Sequence, residues 1–174
     1  MRTLCLFRHA KSSWDDPTLA DHDRPLAPRG IRATPVVADH LQTMGIVPQL
    51  VLCSSARRTV QTLELLGDAI PADCDVRIED ELYHGDVDAL LDRLRALPDT
   101  VHTTMLIGHN PELQQLALLL AGSGRGAQAG RLARTFPTAA AATLDADVDD
   151  WSDLSSGCAR LRWFTRPRDL DAPR

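Results

Sequence analysis

The stretch TLCLFRHAK, residues 3–11, joins a short apolar run to an abrupt series of polar residues. The run from Thr3 to Phe7 has the length and composition of a buried β-strand. Arg8 and His9 interrupt it well before the roughly 20 apolar residues that a membrane helix needs. We therefore predict a buried strand with reactive side chains at its carboxyl end, and neither a signal-peptide core nor a membrane span.

The rest of the chain alternates between helical and strand-like apolar patterns. Helical spacing predicts helices over 29–44, 57–69, 86–97 and 111–121. Short apolar runs predict strands over 50–53, 76–78, 103–107, 139–145 and 159–165. This alternation predicts a three-layer α/β/α sandwich with a mostly parallel central sheet, built as one domain over residues 1–174.

Three local features complete this prediction. Asn110 is expected to cap the helix that begins at Pro111. The small residues between Gly122 and Gly130 predict a surface loop. The arginines and prolines from Arg166 to the end predict a short tail.

Composition restricts the possible functions. The formal net charge of -5 disfavours a nucleic-acid partner, because phosphate backbones select basic surfaces. The four cysteines are scattered without a CxxC pair, so we predict free thiols and a cytoplasmic protein with no membrane partner. The histidines outside the clusters described next show no metal-ligand spacing; they are His22, His40, His84 and His102.

Clusters of polar residues follow three of the predicted strands. They are Arg8-His9-Ala10-Lys11, then Ser54-Ser55-Ala56-Arg57-Arg58 with Gln61-Thr62, and Gly108-His109-Asn110-Pro111. Ligands of parallel α/β sheets bind beyond the carboxyl ends of the strands. If the strands are adjacent, the clusters converge into a cationic pocket, although each cluster alone could be an ordinary surface pair, helix cap or solvated charge.

These residue types suit the transfer of a phosphoryl group. Arginine binds phosphate oxygens through a planar, permanently charged fork, and a neutral histidine can act as a covalent nucleophile. With two histidines, one can attack phosphorus while the other, protonated, stabilises the oxygens. Adjacent helical residues point about 100° apart, so only one of Arg57 and Arg58 should face the pocket.

The motifs resemble those of the histidine phosphatase superfamily, which has the phosphoglycerate mutase-like fold. Arg8-His9-Ala10 is similar to its Arg-His-Gly motif, with Ala10 in place of the usual Gly, and the later motifs are similar to 54–62 and 108–111. The resemblance implies His9 as the nucleophile, with phosphate bound by Arg8, Arg58 and His109. It implies no metal and no organic cofactor.

Further stretches resemble the short phosphohistidine phosphatase branch of that superfamily. These are 8–14, 23–26, 29–30, 136–140 and 167–170. Our candidates for substrate contacts are Ser12, Ser54, Lys11, Arg24 and Asn110. His84 is a candidate for the rim of the site, and Trp14 either shapes the entrance or, as we expect, packs against the sheet.

The resemblance also implies an acidic proton donor near Glu81. Asp80 is the neighbouring alternative, and both could instead belong to a solvated acidic turn. An alkoxide leaving group needs a proton, whereas imidazole already holds one near pH 6.5. A phosphatase of phosphohistidine could therefore work with a weak general acid.

The sequence thus predicts a phosphatase of phosphorylated proteins, with phosphohistidine as the favoured substrate. A short chain leaves few residues to cover the pocket, and a protein substrate needs an open cleft. The alternatives are a phosphatase or mutase of small phosphate esters, an inactive phosphate-binding module, and a zinc hydrolase built on His9 and His109.

Overall fold

The computed structural model describes residues 1–122 and 126–170. Its strands are β1 Arg2–Arg8, β2 Leu50–Ser54, β3 Asp75–Glu79, β4 Thr103–Gly108, β5 Ala141–Ala146 and β6 Ala159–Thr165. Its α-helices are α1 Pro28–Thr43, α2 Arg57–Leu65, α3 Glu81–His84, α4 Val87–Arg95, α5 Glu112–Ala121, α6 Ala127–Arg134 and α7 Pro167–Leu170. None of the helices in these described ranges is long and apolar enough to cross a membrane.

The six strands form one sheet in the order β3-β2-β4-β1-β5-β6. The pairs β3–β2, β2–β4 and β4–β1 are parallel, and β5 and β6 add two antiparallel pairs at one side. The predicted α/β fold with a mostly parallel sheet is therefore confirmed, with an antiparallel extension. The parallel part contains the three strands that precede the polar clusters.

Helices cover both faces of the sheet, as the apolar pattern of β1 requires. Successive strand residues point to opposite faces, so Leu4 and Leu6 enter the core shared with α4, α5 and α6. Cys5 and Phe7 enter the core shared with α1 and α2. All four side chains are at most 1% exposed, which explains why this strand is an uninterrupted apolar run.

Several predicted boundaries differ from the structure. The predicted helix over 57–69 ends at Leu65, and a 3-10 turn at Gly67–Ala69 follows. Gly67 has a φ of 50°, which ends the α-helix in the left-handed region that glycine tolerates. At α5 the N-cap is Pro111, and Asn110 does not cap the helix. The Asn110 amide instead donates to the carbonyl of Phe136 at 3.2 Å.

The prediction of a surface loop over 122–130 was wrong from residue 127 onwards, and the prediction of a C-terminal tail was wrong over 167–170. Helix α6 occupies 127–134, because its Ala, Gln, Arg and Leu residues are good helix formers and Leu132 is buried. Residues 123–125 of the predicted loop lie outside the described residues. The supposed tail forms α7 before residue 171, where the description ends.

Helix α1 packs its first turn against the backbone that follows β1. The amide of Ala27 donates to the carbonyl of Lys11 at 2.8 Å. A Cβ atom placed on Gly30 would lie only 2.8 Å from the backbone nitrogen of Lys11. Glycine is thus needed at position 30 so that α1 can approach the segment next to His9.

We predict that Gly30→Ala destabilises the protein by about 1–3 kcal/mol, because the new methyl group must displace backbone rather than a flexible side chain. Activity should also fall, since Lys11 lies two residues from His9. Chemical unfolding measures the first effect and phosphatase assays the second. The matched control is Gly130→Ala in α6, where a Cβ meets nothing within 4 Å; it should stabilise by about 0.5–1 kcal/mol. Equal stabilities of the two variants would contradict the argument.

Candidate active site

The parallel strands bring the polar clusters to one edge of the sheet. Arg8 at the end of β1 is in register with Gly108 at the end of β4, and Cys53 of β2 is in register with Ile107. The next residues along the chain therefore emerge side by side. The imidazole rings of His9 and His109 lie with their centroids 5.1 Å apart.

A cleft of about 440 Å³ opens over this edge. Its lining contains most of the site residues predicted from the sequence, but neither Ser54 nor Glu81. They are Arg8, His9, Lys11, Ser12, Arg24, Arg58, His109 and Asn110, joined by Trp14, Asp21, Tyr83, His84, Glu112 and Thr138.

His9 is held as a neutral imidazole, and none of the described residues forms a hydrogen bond with its Nε2 atom. Its Nδ1 lies 2.7 Å from the carbonyl oxygen of Ala10. A carbonyl only accepts, so Nδ1 carries the proton and Nε2 keeps its lone pair. Burial lowers the pKa of His9 to about 3, and the nearby charges of Arg58 and Arg8 act in the same direction. The ring is thus prepared to act as a nucleophile over the whole neutral pH range.

His109 is oriented by a buried hydroxyl and by an arginine. Its Nε2 lies 2.8 Å from Ser54 Oγ, and its Nδ1 lies 3.4 Å from Arg58 Nη2. The guanidinium can only donate, so Nδ1 accepts and Nε2–H donates to Ser54. Ser54 is fully buried and does not line the cleft. The structure places it behind His109, where it positions the ring.

The protonated second histidine expected from the sequence is not the form that this geometry favours. Burial, followed by the charge of Arg58, lowers the pKa of His109 to about 4. His109 is therefore neutral at pH 7 in the cleft as it stands. A phosphoryl dianion would raise this pKa, because it adds negative charge beside the ring.

Arg58, not Arg57, faces the cleft. Arg57 is exposed at the start of α2, whereas the Arg58 side chain is buried. Arg58 Nη1 donates to the backbone carbonyl of Asp21 at 2.6 Å, and Nη2 donates to Asp21 Oδ2 at 3.0 Å. Arg8 is fixed by donating from Nη1 to the carbonyl of Phe136 at 2.7 Å. Both guanidinium groups thus line the cleft that also contains His9 and His109.

Asp21 is a cleft residue that the sequence analysis missed. Its carboxylate accepts from Arg58, from Arg24 Nε at 3.1 Å and from the Tyr83 hydroxyl at 2.7 Å. The Tyr83 hydrogen bond, with smaller effects from Arg58 and Arg24, lowers the pKa of Asp21. Asp21 lies in a single 3-10 turn without periodicity. Its spacing of three residues from Arg24 is the signal that could have indicated it.

Tyr83 and Trp14 complete the rim of the cleft. The Tyr83 ring makes edge contacts with His22, His84 and His109, at centroid distances of 4.9, 4.4 and 5.5 Å. Trp14 is 69% exposed, so the expectation that it packs against the sheet was wrong. Instead, the Arg24 guanidinium carbon lies 3.4 Å from the centroid of the Trp14 ring, in a cation–π contact.

The structure places Glu81 and Asp80 away from the cleft lining. Asp80 precedes α3 and Glu81 is its first residue, and both are exposed. Among the described residues, the carboxylates that line the cleft are those of Asp21 and Glu112. Glu81 as proton donor remains a prediction. Over the described ranges, no three His, Cys, Asp or Glu side chains are grouped to hold a metal ion.

This fold and this arrangement of residues define an α/β protein with paired histidines and arginines at the carboxyl edge of its sheet. Residues 4–98 match the histidine phosphatase superfamily, branch 1. The chain belongs to that superfamily, and the resemblance drawn from its motifs is confirmed.

Individual relatives agree with this assignment over nearly the whole chain. An uncharacterized protein of Mycobacterium tuberculosis is 39% identical over 92% of this chain and 99% of its own length. The structure of a putative phosphohistidine phosphatase SixA from Nakamurella multipartitia is similar with a TM-score of 0.82 and 32% identity, covering 95% of this chain and 96% of that one. The structure of the protein histidine phosphatase SixA complexed with tungstate gives a TM-score of 0.78 at 26% identity, covering 97% and 99%.

The lowered imidazole pKa values predict that the protein loses stability in mild acid. Below pH 6.5 the unfolded chain protonates its histidines while the folded chain keeps His9 neutral, so the free energy of unfolding falls as the pH falls. Between pH 7 and pH 5 this amounts to about 1–2 kcal/mol for His9.

Urea unfolding of the wild type and of His9→Ala at both pH values measures this effect. The variant should lose less stability on acidification than the wild type. His40→Ala, which removes an imidazole outside the cleft, should behave like the wild type. An identical pH dependence for wild type and His9→Ala would contradict the neutral, buried state of His9.

Proposed function

We propose that the protein is a phosphatase that removes the phosphoryl group from phosphohistidine in proteins, through a covalent intermediate on His9. The observation that carries the proposal is the neutral His9 ring, whose Nδ1 is bonded to the Ala10 carbonyl, beside the buried Arg58 and the half-buried His109 in one cleft. The proposal assigns residues 1–174 to one histidine phosphatase domain. It includes a cytoplasmic location, supported by the free thiols of all four cysteines.

In the first step, His9 Nε2 attacks phosphorus. A P–N bond to His9 forms while the P–N bond of the substrate breaks, and the substrate imidazole leaves with its bonding electron pair. Positive charge develops on the His9 ring as its lone pair is used. The hydrogen bond from Nδ1 to the Ala10 carbonyl stabilises that charge and holds the ring in line with the leaving group.

Fixed hydrogen-bond donors in the cleft stabilise the negative charge of the transferred phosphoryl group. A phosphoryl group spreads its charge over three equatorial oxygens, so catalysis consists mainly of positioning and electrostatic stabilisation. The Arg8 and Arg58 guanidinium groups supply donors around those oxygens, and burial strengthens each interaction. The His109 Nδ1 atom adds a further donor once the bound dianion raises the pKa of the ring and the ring takes up a proton. These donors are preorganised by Phe136, Asp21 and Ser54 before a substrate arrives.

In the second step, a water oxygen attacks the phosphorus held on His9. A P–O bond forms while the P–N bond to His9 breaks, so inorganic phosphate leaves and His9 Nε2 recovers its lone pair. Asp21 is ionised at neutral pH and lies in the cleft. We assign it the role of accepting a proton from the attacking water. Glu81 or Asp80 remains our candidate for a proton donor in the first step, where imidazole needs less assistance than an alkoxide would.

Two features favour a protein substrate. The rim residues Trp14, Lys11 and His84 are exposed, so the cleft is open to a bulky partner. In addition, the similar structures bear the name of a phosphohistidine phosphatase, and one of them holds tungstate, a tetrahedral oxyanion like phosphate.

The proposal predicts a trapped, acid-labile phosphoenzyme. After incubation with a labelled phosphohistidine peptide and an alkaline quench, the label should be found on His9 by peptide mapping. His9→Ala should lower the turnover about 10³-fold or more, because the nucleophile is gone. The matched control His40→Ala should keep the wild-type rate. Faster hydrolysis of a sugar phosphate than of the phosphohistidine peptide would contradict the substrate assignment, and equal rates in wild type and His9→Ala would contradict the mechanism.

The role of Asp21 predicts separate effects on binding and turnover. Asp21→Asn should lower kcat by about 10²-fold, because the second step loses its general base. KM should fall or stay constant, since Arg58 no longer shares its donors with a carboxylate. Rapid-quench experiments should then show more phosphoenzyme at steady state than in the wild type. An unchanged kcat and an unchanged level of phosphoenzyme would exclude this role.

A further inference from the structure

A second cavity adjoins the catalytic cleft and has no part in the mechanism above. Its volume is about 220 Å³. The first turn of α1 and the start of α7 form two of its walls, and residues 135–139 form a third. Lys11 and Thr138 line both this cavity and the cleft, so the two spaces share a wall close to His9. We call this cavity the α1–α7 pocket.

The lining of the α1–α7 pocket is cationic. Among the residues that the structure describes, it contains four basic side chains and no aspartate or glutamate: Lys11, Arg29, Arg166 and Arg168. This concentration of positive charge stands out in a chain whose formal net charge is -5. Such a local field selects an anionic group.

The cations of the pocket differ in how they are held. Arg166 is 8% exposed and donates to both carboxylate oxygens of Asp169, at 2.6 and 2.8 Å. It therefore forms a fixed wall. Within the described part of the chain, Lys11 and Arg29 form no ion pair, and both are exposed. Their charges are available to a ligand.

Helix α1 adds to this field. Arg29 and Gly30 belong to its first turn, and no side chain caps that end of the 16-residue helix. The positive end of a helix favours an anion. The pocket volume of about 220 Å³ is enough for a carboxylate with some of its hydration.

We propose that the α1–α7 pocket binds the carboxylate of an acidic side chain that lies near the phosphohistidine of a protein substrate. This inference rests on the proposed function, because it places the phosphoryl group at His9 and the carboxylate across the wall formed by Lys11 and Thr138. Arg29 and Arg168 are exposed at this surface and can reach towards a docked protein. The enzyme would thereby select phosphohistidines in an acidic neighbourhood.

The test compares phosphohistidine peptides that differ by one residue. A Gly/Ser peptide serves as the neutral reference, and each of the others carries one Glu at a single position within three residues of the phosphohistidine. We expect kcat/KM to be about fivefold higher for at least one Glu position, as one partly solvated charge pair provides. The preference should shrink at high salt, because exposed charges are screened.

Charge-neutral variants identify the pocket as the origin of the preference. Arg29→Gln, alone and with Arg168→Gln, should reduce the preference to about twofold or less. The matched control is Arg32→Gln, which removes the same charge from an exposed position of α1 that does not line the pocket. It should keep the full preference.

The outcomes separate this inference from the proposed function. Turnover of the neutral peptide without any preference for Glu would overturn the inference and leave the phosphatase assignment intact. Loss of the preference in Arg32→Gln as well would also overturn it, because general charge would then be the cause. No turnover of any phosphohistidine peptide would refute the proposed function itself. If a carboxyphenyl phosphate is preferred over phenyl phosphate while the peptides show no preference, the carboxylate belongs to a small substrate and the protein source is wrong.

Discussion

Parallel pairing of β1 with β4 and of β4 with β2 is the constraint on which the site depends. Arg8 and Gly108 end their strands in register, and the residues after them leave the sheet at the same edge. The imidazoles of His9 and His109 are separated in sequence by 100 positions, yet their rings come within 5.1 Å. A slip of one residue in this register would turn every side chain to the other face of its strand. Arg8 and His9 would then no longer leave β1 beside Gly108 and His109.

The positive charges of Arg58 and Arg8 have two effects in this cleft. Burial beside Arg58 and Arg8 keeps His9 and His109 neutral, which costs stability as the pH falls. Because both rings stay neutral, the positive charges of Arg58 and Arg8 also attract a phosphoryl dianion. A phosphoryl dianion bound beside the rings would raise the imidazole pKa values again, because its negative charge favours the protonated rings. The close approach of α1 at Gly30 supports this arrangement, because it holds the backbone beside His9 in place.

The fold could be predicted from the sequence because its signals are local. Apolar runs of strand length and helical spacing identify β1 to β6 and most helices, and polar clusters after three strands locate the site at the edge where parallel strands end. Asp21 was not predicted for two reasons. It reaches Arg58 only through the tertiary fold, because 37 positions separate the two residues in sequence. It also lies in a single 3-10 turn, which has no hydrophobic periodicity. Helix α6 was misread because Gly130 and the glycines that precede the helix suggested a loop. The burial of Leu132 that stabilises the helix depends on distant partners.

Asp21 explains how a cationic cleft can remain stable and still bind an anion. Arg58 and Arg24 carry like charges at buried positions, and the Asp21 carboxylate offsets their repulsion because it accepts from both at once. Its side chain is about half exposed, so the ion pairs are solvated and can exchange partners at small cost. A phosphoryl group carries more charge and more acceptor atoms than a carboxylate, so it can take over the Arg58 donors. Asp21 then keeps Arg24 and Tyr83 as partners and remains at the cleft, where we propose that it receives a proton from water.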